Sequence, residues 1–310
     1  MTGELLLRNG KSVRLPELTA CRLIHTDGRS ADSFEVTFPT KVSLLPELRL
    51  SREFRCTEGG VIRFRGVIDE VETVYADAFT TTLCGRGLAA KLMDNQADGA
   101  EFYTLDLETV LARYVRPCGI TDIVQKGGPW RMRMASVGTG CSCFRVLEGF
   151  CLHAGAPRPR FLPDGTLCIS AQANTHKLGE ADVLSAGWRL CRYGVISRQK
   201  VIDMTMKTAR IAENPRLSLL DVSASRVAAR AGQFTHLTER TAQQRLDESL
   251  RELDTLELTV AGAHPALPCD VVNVTIPRIQ AFGDYIVTET CRSLDLRGET
   301  TRLSLRAKEV

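Results

Sequence analysis

Three groupings in this chain have residue types and spacings that could do chemistry. The first is Gly85-Arg86-Gly87-Leu88-Ala89-Ala90, which with Asp106 about twenty residues on follows the Gly-x-Gly-x-x-Ala pattern of a dinucleotide site. That pattern works where a parallel strand feeds a helix whose free N–H groups meet a pyrophosphate. Here the preceding strand closes a hairpin and no apolar strand separates the helix from Asp106, so the residues read as a tight strand-to-helix exit. The second is Cys141-Ser142-Cys143 with Cys151 and His153, four soft ligands of the kind zinc accepts. On a helix starting at Ser142, Cys151 and His153 project about 200° apart, so one of them faces away from any shared ion; these thiols read as small core hydrophobes. The third is the set of acids Asp69, Glu70 and Asp284, which could pair for glycoside hydrolysis, although solvent-facing strand charges account for them without chemistry. His25, His176, His236 and His264 stand in or beside turns and loops with no nucleophile or acid to pair with. The sequence therefore predicts no catalytic residue, no metal ligand and no cofactor.

The elements that would position any such site come from a chain of ordinary globular composition. Its 310 residues are 44% hydrophobic and 25% charged, enough for two domains or two plus an insert. Forty Lys and Arg against thirty-seven Asp and Glu leave a net charge of +3, too weak a field to predict binding to a phosphate backbone. The start, Met-Thr-Gly-Glu-Leu-Leu-Leu-Arg, has no basic export region, and no apolar run nears the roughly 18 residues of a membrane span. The expectation is a protein made in a cytoplasm, its eleven cysteines reduced.

Short β-like runs with turns between them fill residues 1–93: Glu4 to Leu7, Leu18 to Ile24, Ser33 to Phe38, Glu47 to Cys56, Val61 to Tyr75 with a bend or bulge at Gly66, and Phe79 to Cys84. The period then changes. Leu88 to Met93 suits one or two helical turns. Leu107, Val110, Leu111, Tyr114 and Val115 repeat at helical spacing and stop at Pro117 and Gly119. A further helix follows Ser142 and ends at Gly155, and a hairpin turns at Asp164-Gly165. Residues 94–184 thus read as an α+β insert. From 185 to 310 the β pattern returns, with strands at Arg189 to Tyr193, Val195 to Thr205 and Arg216 to Val222, a helix over 238–254, and a terminal hairpin of Tyr285 to Leu294 with Thr300 to Arg306. Ala224 to His236, rich in small residues and without a period, reads as a mobile loop.

One stretch echoes another. Ile68-Asp69-Glu70 followed by Thr80-Thr81-Thr82-Leu83-Cys84-Gly85-Arg86 matches Val287-Thr288-Glu289 followed by Thr300-Thr301-Arg302-Leu303-Ser304-Leu305-Arg306, with one extra residue in the second turn. Both are long hairpins that close a β region. Such self-similarity suggests two related β domains flanking the insert.

This order resembles the baseplate hub (tail hub, late control protein D) family of contractile phage tails and tailocins. Phe64-Arg65-Gly66-Val67-Ile68-Asp69-Glu70-Val71, running into Leu83-Cys84-Gly85-Arg86 and on to Leu92-Met93-Asp94, is similar to the end of that family's first domain. The hairpin Phe161 to Leu167 is similar to part of its insert. The segments Leu256 to Val260, Pro268-Cys269-Asp270-Val271-Val272-Asn273-Val274, Gly283 to Glu289 and Thr300 to Leu305 match its second β domain. Cys269 departs from the family, which places Gly there, and a residue with a side chain implies a turn without positive φ. The resemblance implies a β-rich α+β fold in which two related β-barrel "tube" domains flank the insert. It also implies a homotrimer whose six tube domains form a ring joining a hexameric tail tube protein to a trimeric spike protein, with DNA or other cargo sliding through the lumen. Such a protein assembles in the bacterial cytoplasm and resides in the tail baseplate of a phage, tailocin or related particle. The outer face of the 238–254 helix, with Glu239, Arg240, Arg245, Glu248 and Arg251, becomes a candidate surface for other baseplate components, or is simply solvated.

Two other classes stay open. A type VI secretion spike begins with a similar hub, but should continue into an oligomer-binding barrel and a repetitive β-helix, and this chain stops at Val310. A tail-associated cell-wall hydrolase would need a catalytic domain that the hub layout leaves no room for.

Overall fold

The structure, a computed structural model, describes residues 1–28, 31–204, 207–214, 223–230 and 235–308. Strands dominate and helices are few, the β-rich α+β class expected from the sequence; among the described residues no sheet closes into a barrel. Contacts divide the chain into two units. The first comprises Met1–Asn174, Val260–Cys269 and Thr288–Arg302; the second comprises Thr175–Thr259, Asp270–Val287 and Leu303–Val310.

The first unit opens with β1 (Thr2–Leu7), β2 (Ser12–Arg14), β3 (Ala20–Thr26), β4 (Ser33–Pro39), α1 (Leu45–Leu50), β5 (Ser51–Glu58), β6 (Val61–Tyr75) and β7 (Phe79–Gly87). These strands pair antiparallel in the order β3-β4-β7-β6-β5-β1-β2. Alternate residues turn to opposite faces of a strand, and the sequence alternates accordingly. Leu23, Phe34, Val36, Phe38, Phe54, Phe64 and Leu83 share one core, with the Phe34 and Phe54 rings stacked at 4.6 Å between centroids. The opposite face carries Arg22, Glu35, Glu70 and Cys84 around a cavity of about 270 Å³.

Two local expectations are corrected here. The strand expected over Glu47 to Cys56 begins only at Ser51, because Leu45–Leu50 is helical. Pro46 sits in its first turn, where a missing N–H is harmless, and the Ser51 hydroxyl donates to the Leu48 carbonyl at 2.7 Å to end it. The bulge placed at Gly66 lies on either side of it instead, with register slips at Cys56/Thr57 and at Ile68/Glu70. Gly66 itself pairs regularly with Phe54 and Gly87. Its constraint is space, since a Cβ there would stand 2.3 Å from the Arg86 carbonyl oxygen.

The same unit continues with α2 (Ala89–Met93), β8 (Ala100–Asp106), α3 (Leu107–Val110) extending helically through Val115, β9 (Ile123–Gln125), β10 (Arg131–Val137), α4 (Cys143–Ala154), β11 (Arg160–Phe161) and β12 (Leu167–Ile169). Helix boundaries fall where the caps predict. The Asp106 carboxylate accepts from Thr109 N at 2.9 Å, the Ser142 hydroxyl accepts from Arg145 N at 3.3 Å, and Gly119 and Gly155 end their helices at positive φ. Leu107, Val110, Leu111 and Tyr114 meet Phe144, Leu147 and Phe150 in a second core.

The second unit contains β13 (Thr175–Gly179), β14 (Val183–Leu190), β15 (Arg198–Asp203), β16 (Thr208–Glu213), β17 (Ser225–Arg230), α5 (Thr235–Leu250), most of β18 (Asp254–Ala261) and β19 (Val271–Ile276). The hairpin of β20 (Ala281–Asp295) and β21 (Gly298–Ala307) contributes to both units. β13 lies parallel to β19, and β14 neighbours β18. β15 pairs antiparallel with β16 and parallel with β17, making a small sheet.

Three expectations are corrected in this part of the chain. Ala224 to His236, expected to be a mobile loop, contributes strand β17 and the start of α5. A parallel ladder to β15 satisfies the backbone of residues whose small side chains carry no visible period. The 238–254 helix runs instead from Thr235 to Leu250, where Leu253 N bonds to Leu250 O and the chain turns into β18 at Asp254. Cys269 has φ +75, so the turn after Pro268 takes the left-handed conformation even without a glycine. The strand expected over 216–222 lies outside the described residues.

Candidate functional site

Burial of charge offers the first place to look for chemistry. In the first unit, a cavity of about 590 Å³ is lined by Leu23, His25, Ile62, Leu162, Leu267 and Arg292, among others. His25 is buried. Its Nδ1 lies 3.0 Å from Asp32 Oδ2 and its Nε2 3.0 Å from the Arg63 carbonyl, while Asp32 Oδ1 accepts from Thr26 N at 2.8 Å. Both ring nitrogens are thus held by groups of the protein itself, one by a carboxylate and one by a backbone carbonyl. Arg292, also buried, donates to Glu58 at 2.6 Å and to Glu299. The bond from Arg292 holds the Glu58 carboxyl below its usual range. These buried charged groups join one strand to another: His25 ties β3 to the β4 approach, and Arg292 ties β20 to β5 and β21. Sequence reasoning missed this network, since nothing in the local pattern marks Arg292 as buried or brings Glu58 to it.

The glycine motif, the cysteine cluster and the acids resolve into packing and pairing. Arg86, inside the glycine motif, donates to Asp69 at 2.7 and 2.9 Å and to Asp94 at 2.9 and 2.8 Å. It staples β7 to β6 and to the residue after α2. Gly85 is required because a Cβ there would lie 2.0 Å from the Val67 carbonyl oxygen and 2.6 Å from the Phe34 ring. These are the packing needs of a strand exit. Cys143 and Cys151 are buried in the α4 core. Burial, together with Cys118, pushes the Cys143 thiol up to about 11, and burial, together with Glu148, pushes Cys151 up to about 12. At neutral pH both stay protonated and are poor ligands. The acids have partners of their own: Asp69 is committed to Arg86, and Asp284, in the second unit, accepts from Asn273 at 2.8 Å and Lys308 at 3.3 Å.

The candidate surface on α5 rests on a defined scaffold. Ala242 and Leu246 pack with Ile196, Val201 and Ala212, and the Ser249 hydroxyl accepts from Ile196 N at 3.2 Å, fixing the helix over the β15–β17 sheet. Away from that face Gln244 donates to Glu248 at 2.9 Å and Gln243 to Asp247 at 2.8 Å. Arg245 and Glu248 are half-buried. Arg251 lies in the turn after the helix, its N–H bonded to Glu248 O. Glu239 and Arg240 are on the helix, their side chains outside the described residues.

The fold has recognisable relatives. It is similar to a tail protein from Neisseria meningitidis at TM-score 0.79 and 16% identity, over 99% of this chain and 96% of that one. It is equally similar to the prophage MuSo2 43 kDa tail protein from Shewanella oneidensis, at TM-score 0.79 and 16% identity over 98% of each chain. The chain has the tail-protein fold. A type VI secretion component from E. coli, itself structurally similar to the bacteriophage T4 tail proteins gp27 and gp5, matches at TM-score 0.60 and 9% identity over 94% of this chain and 74% of that one. No family model and no curated protein matches the chain. The resemblance read from the sequence is thus met at the level of fold.

Proposed function

We propose that this chain is a structural hub protein of a contractile tail, a homotrimer whose paired β domains form a pseudo-six-fold ring between a hexameric tail tube and a trimeric spike. It acts by shape and not by catalysis. The observation that carries this reading is the internal echo, seated in a fold that matches tail proteins end to end. β6–β7 and β20–β21 are long antiparallel hairpins, and their matched residues Thr81 and Thr301, and Leu83 and Leu303, are all fully buried. One chain with two related β domains supplies six similar units from three copies, which is what a three-fold spike on a six-fold tube requires. A polar sheet face bearing Arg22, Glu35 and Glu70, on a chain of low net charge, suits a passage through which DNA or other cargo slides. The face of α5 with Glu239, Arg240, Arg245, Glu248, and Arg251 just beyond it, is the proposed contact for other baseplate components.

Light scattering and averaged electron micrographs, with and without the spike, test the reading. A three-fold ring is expected, and a monomer under both conditions overturns it. The similarity to the E. coli type VI component favours a second reading, a type VI secretion hub. Preferential assembly with a type VI tube protein over a phage tail tube would select it.

A further inference from the structure

The internal echo also says where neighbouring copies meet. Within the first unit, residues 289–294 of β20 pair antiparallel with β3, Glu289 opposite Thr26 through Leu294 opposite Cys21. The echo aligns Glu289 with Glu70, so the matching stretch of the other hairpin is Glu70 to Tyr75 on β6. There β6 bonds β7 on one edge, whereas its partner on the other edge, β5, stops at Val67. Beyond it no strand of the described residues pairs that edge, and Glu70, Val71, Glu72, Val74 and Tyr75 are exposed. An open strand edge carrying apolar side chains is a template for another strand.

The counterpart of β3 is found by the same route. β3 neighbours β4 and β4 neighbours β7; β14 neighbours β18 and β18 neighbours β21, the echo of β7. β14 therefore occupies the place of β3 in the second β region. It ends the sheet, with no strand of the described residues on its outer edge, and it exposes Leu184 and Trp188. Arg189 near its end and Arg192 just beyond it are exposed cations, opposite in charge to Glu70 and Glu72.

We propose that β14 of one copy adds to the 70–75 edge of β6 in the next copy, repeating between chains the β3–β20 pairing made within one. The proposal rests on the trimer reading above and names the surface that builds it. Each copy then has one donor edge and one acceptor edge, so the contact is head-to-tail, and in the trimer reading three such contacts close the ring.

The test compares the wild-type chain with Glu70→Lys/Glu72→Lys, with Arg189→Glu/Arg192→Glu, and with all four changes combined, by light scattering. All four side chains are exposed, so circular dichroism should be unchanged. The wild type should have three times the 34.2 kDa mass of one chain. Each double variant should fall threefold toward the single-chain mass, and the combination should regain the trimer. Hydrogen exchange on the wild-type trimer provides a readout free of substitutions, with the amides of 70–75 and 184–190 slowing on assembly. A wild type that stays monomeric both with and without the spike overturns the trimer reading itself. A trimer that keeps its mass in both double variants, loses it without recovery in the combination, or leaves either segment unprotected overturns this edge pairing and leaves the trimer reading standing.

Discussion

The hairpins β6–β7 and β20–β21 share a sequence pattern but have different surroundings. In the second, β20 is bonded by β3 along residues 289–294, and Arg292 lies beneath that contact with Glu58 and Glu299. In the first, the aligned position is Thr73, whose hydroxyl meets Thr81 across the hairpin at 2.8 Å, and no strand of the described residues pairs the adjacent edge. A further contrast lies one strand on. Leu305 fills its core position, whereas its counterpart is Gly85, where Phe34 and the Val67 carbonyl have taken the space. The same local pattern can thus serve as a covered strand or as an edge, depending on the neighbour the fold supplies.

Substitutions in the two hairpins, and one at Cys269, probe that contrast. The largest effect is expected at Gly85→Ala, because a methyl group 2.0 Å from a backbone carbonyl oxygen cannot be accommodated by a side-chain shift. A loss of about 3 kcal/mol or more by denaturant unfolding is predicted, and a loss under about 1 kcal/mol would mean the two hairpins are packed alike. Next comes Arg292→Ala, which takes the buried cation from Glu299 and leaves Glu58 with the more exposed Arg63 at 3.4 Å. Its partners are part-exposed, so a loss of about 2–3 kcal/mol is expected, against about 0.5 kcal/mol for Thr73→Ala.

The matched threonines should differ more subtly. Thr301 accepts from His264 N at 3.1 Å and donates to the Gly262 carbonyl at 2.7 Å, so Thr301→Val strands two backbone groups and should cost about 2 kcal/mol. Thr81 bonds the hydroxyls of Thr40 and Thr73, at 2.7 and 2.8 Å, which can turn to other partners; Thr81→Val should cost about 1 kcal/mol. Equal losses in thermal unfolding would erase the distinction. The smallest effect is a gain. Cys269→Gly relieves a left-handed backbone at a residue with a Cβ and should stabilise by about 0.5–1 kcal/mol, net of the greater freedom of glycine when unfolded. A lowered melting temperature would show instead that the Cys269 side chain is held by contacts worth more than the strain.

Much of the architecture was legible because its signals are local. Asp106, Ser142, Gly119 and Gly155 mark helix ends through groups that bond within a turn of themselves, and the alternation along β3, β4 and β7 requires only that one face be dry. The α1 helix was hidden because Leu45–Leu50 carries the apolar content of a strand, and β17 because its partner β15 lies more than twenty residues earlier in the chain. The candidate surface on α5 was visible as a run of charges. The Arg292 network was not, since Glu58 is 234 residues away and no periodicity records that separation.

By itself the sequence determined the class of the fold, the helix caps, the hairpins and their repetition, because propensity, capping and period act over a few residues. Only the tertiary structure decided which hairpin edge β3 covers, why Gly85 cannot carry a side chain, that Cys269 is held left-handed, and that Cys143 and Cys151 are buried as core thiols. Those outcomes depend on which distant strands become neighbours, and that is set by burial summed over whole cores, which no single stretch of residues encodes.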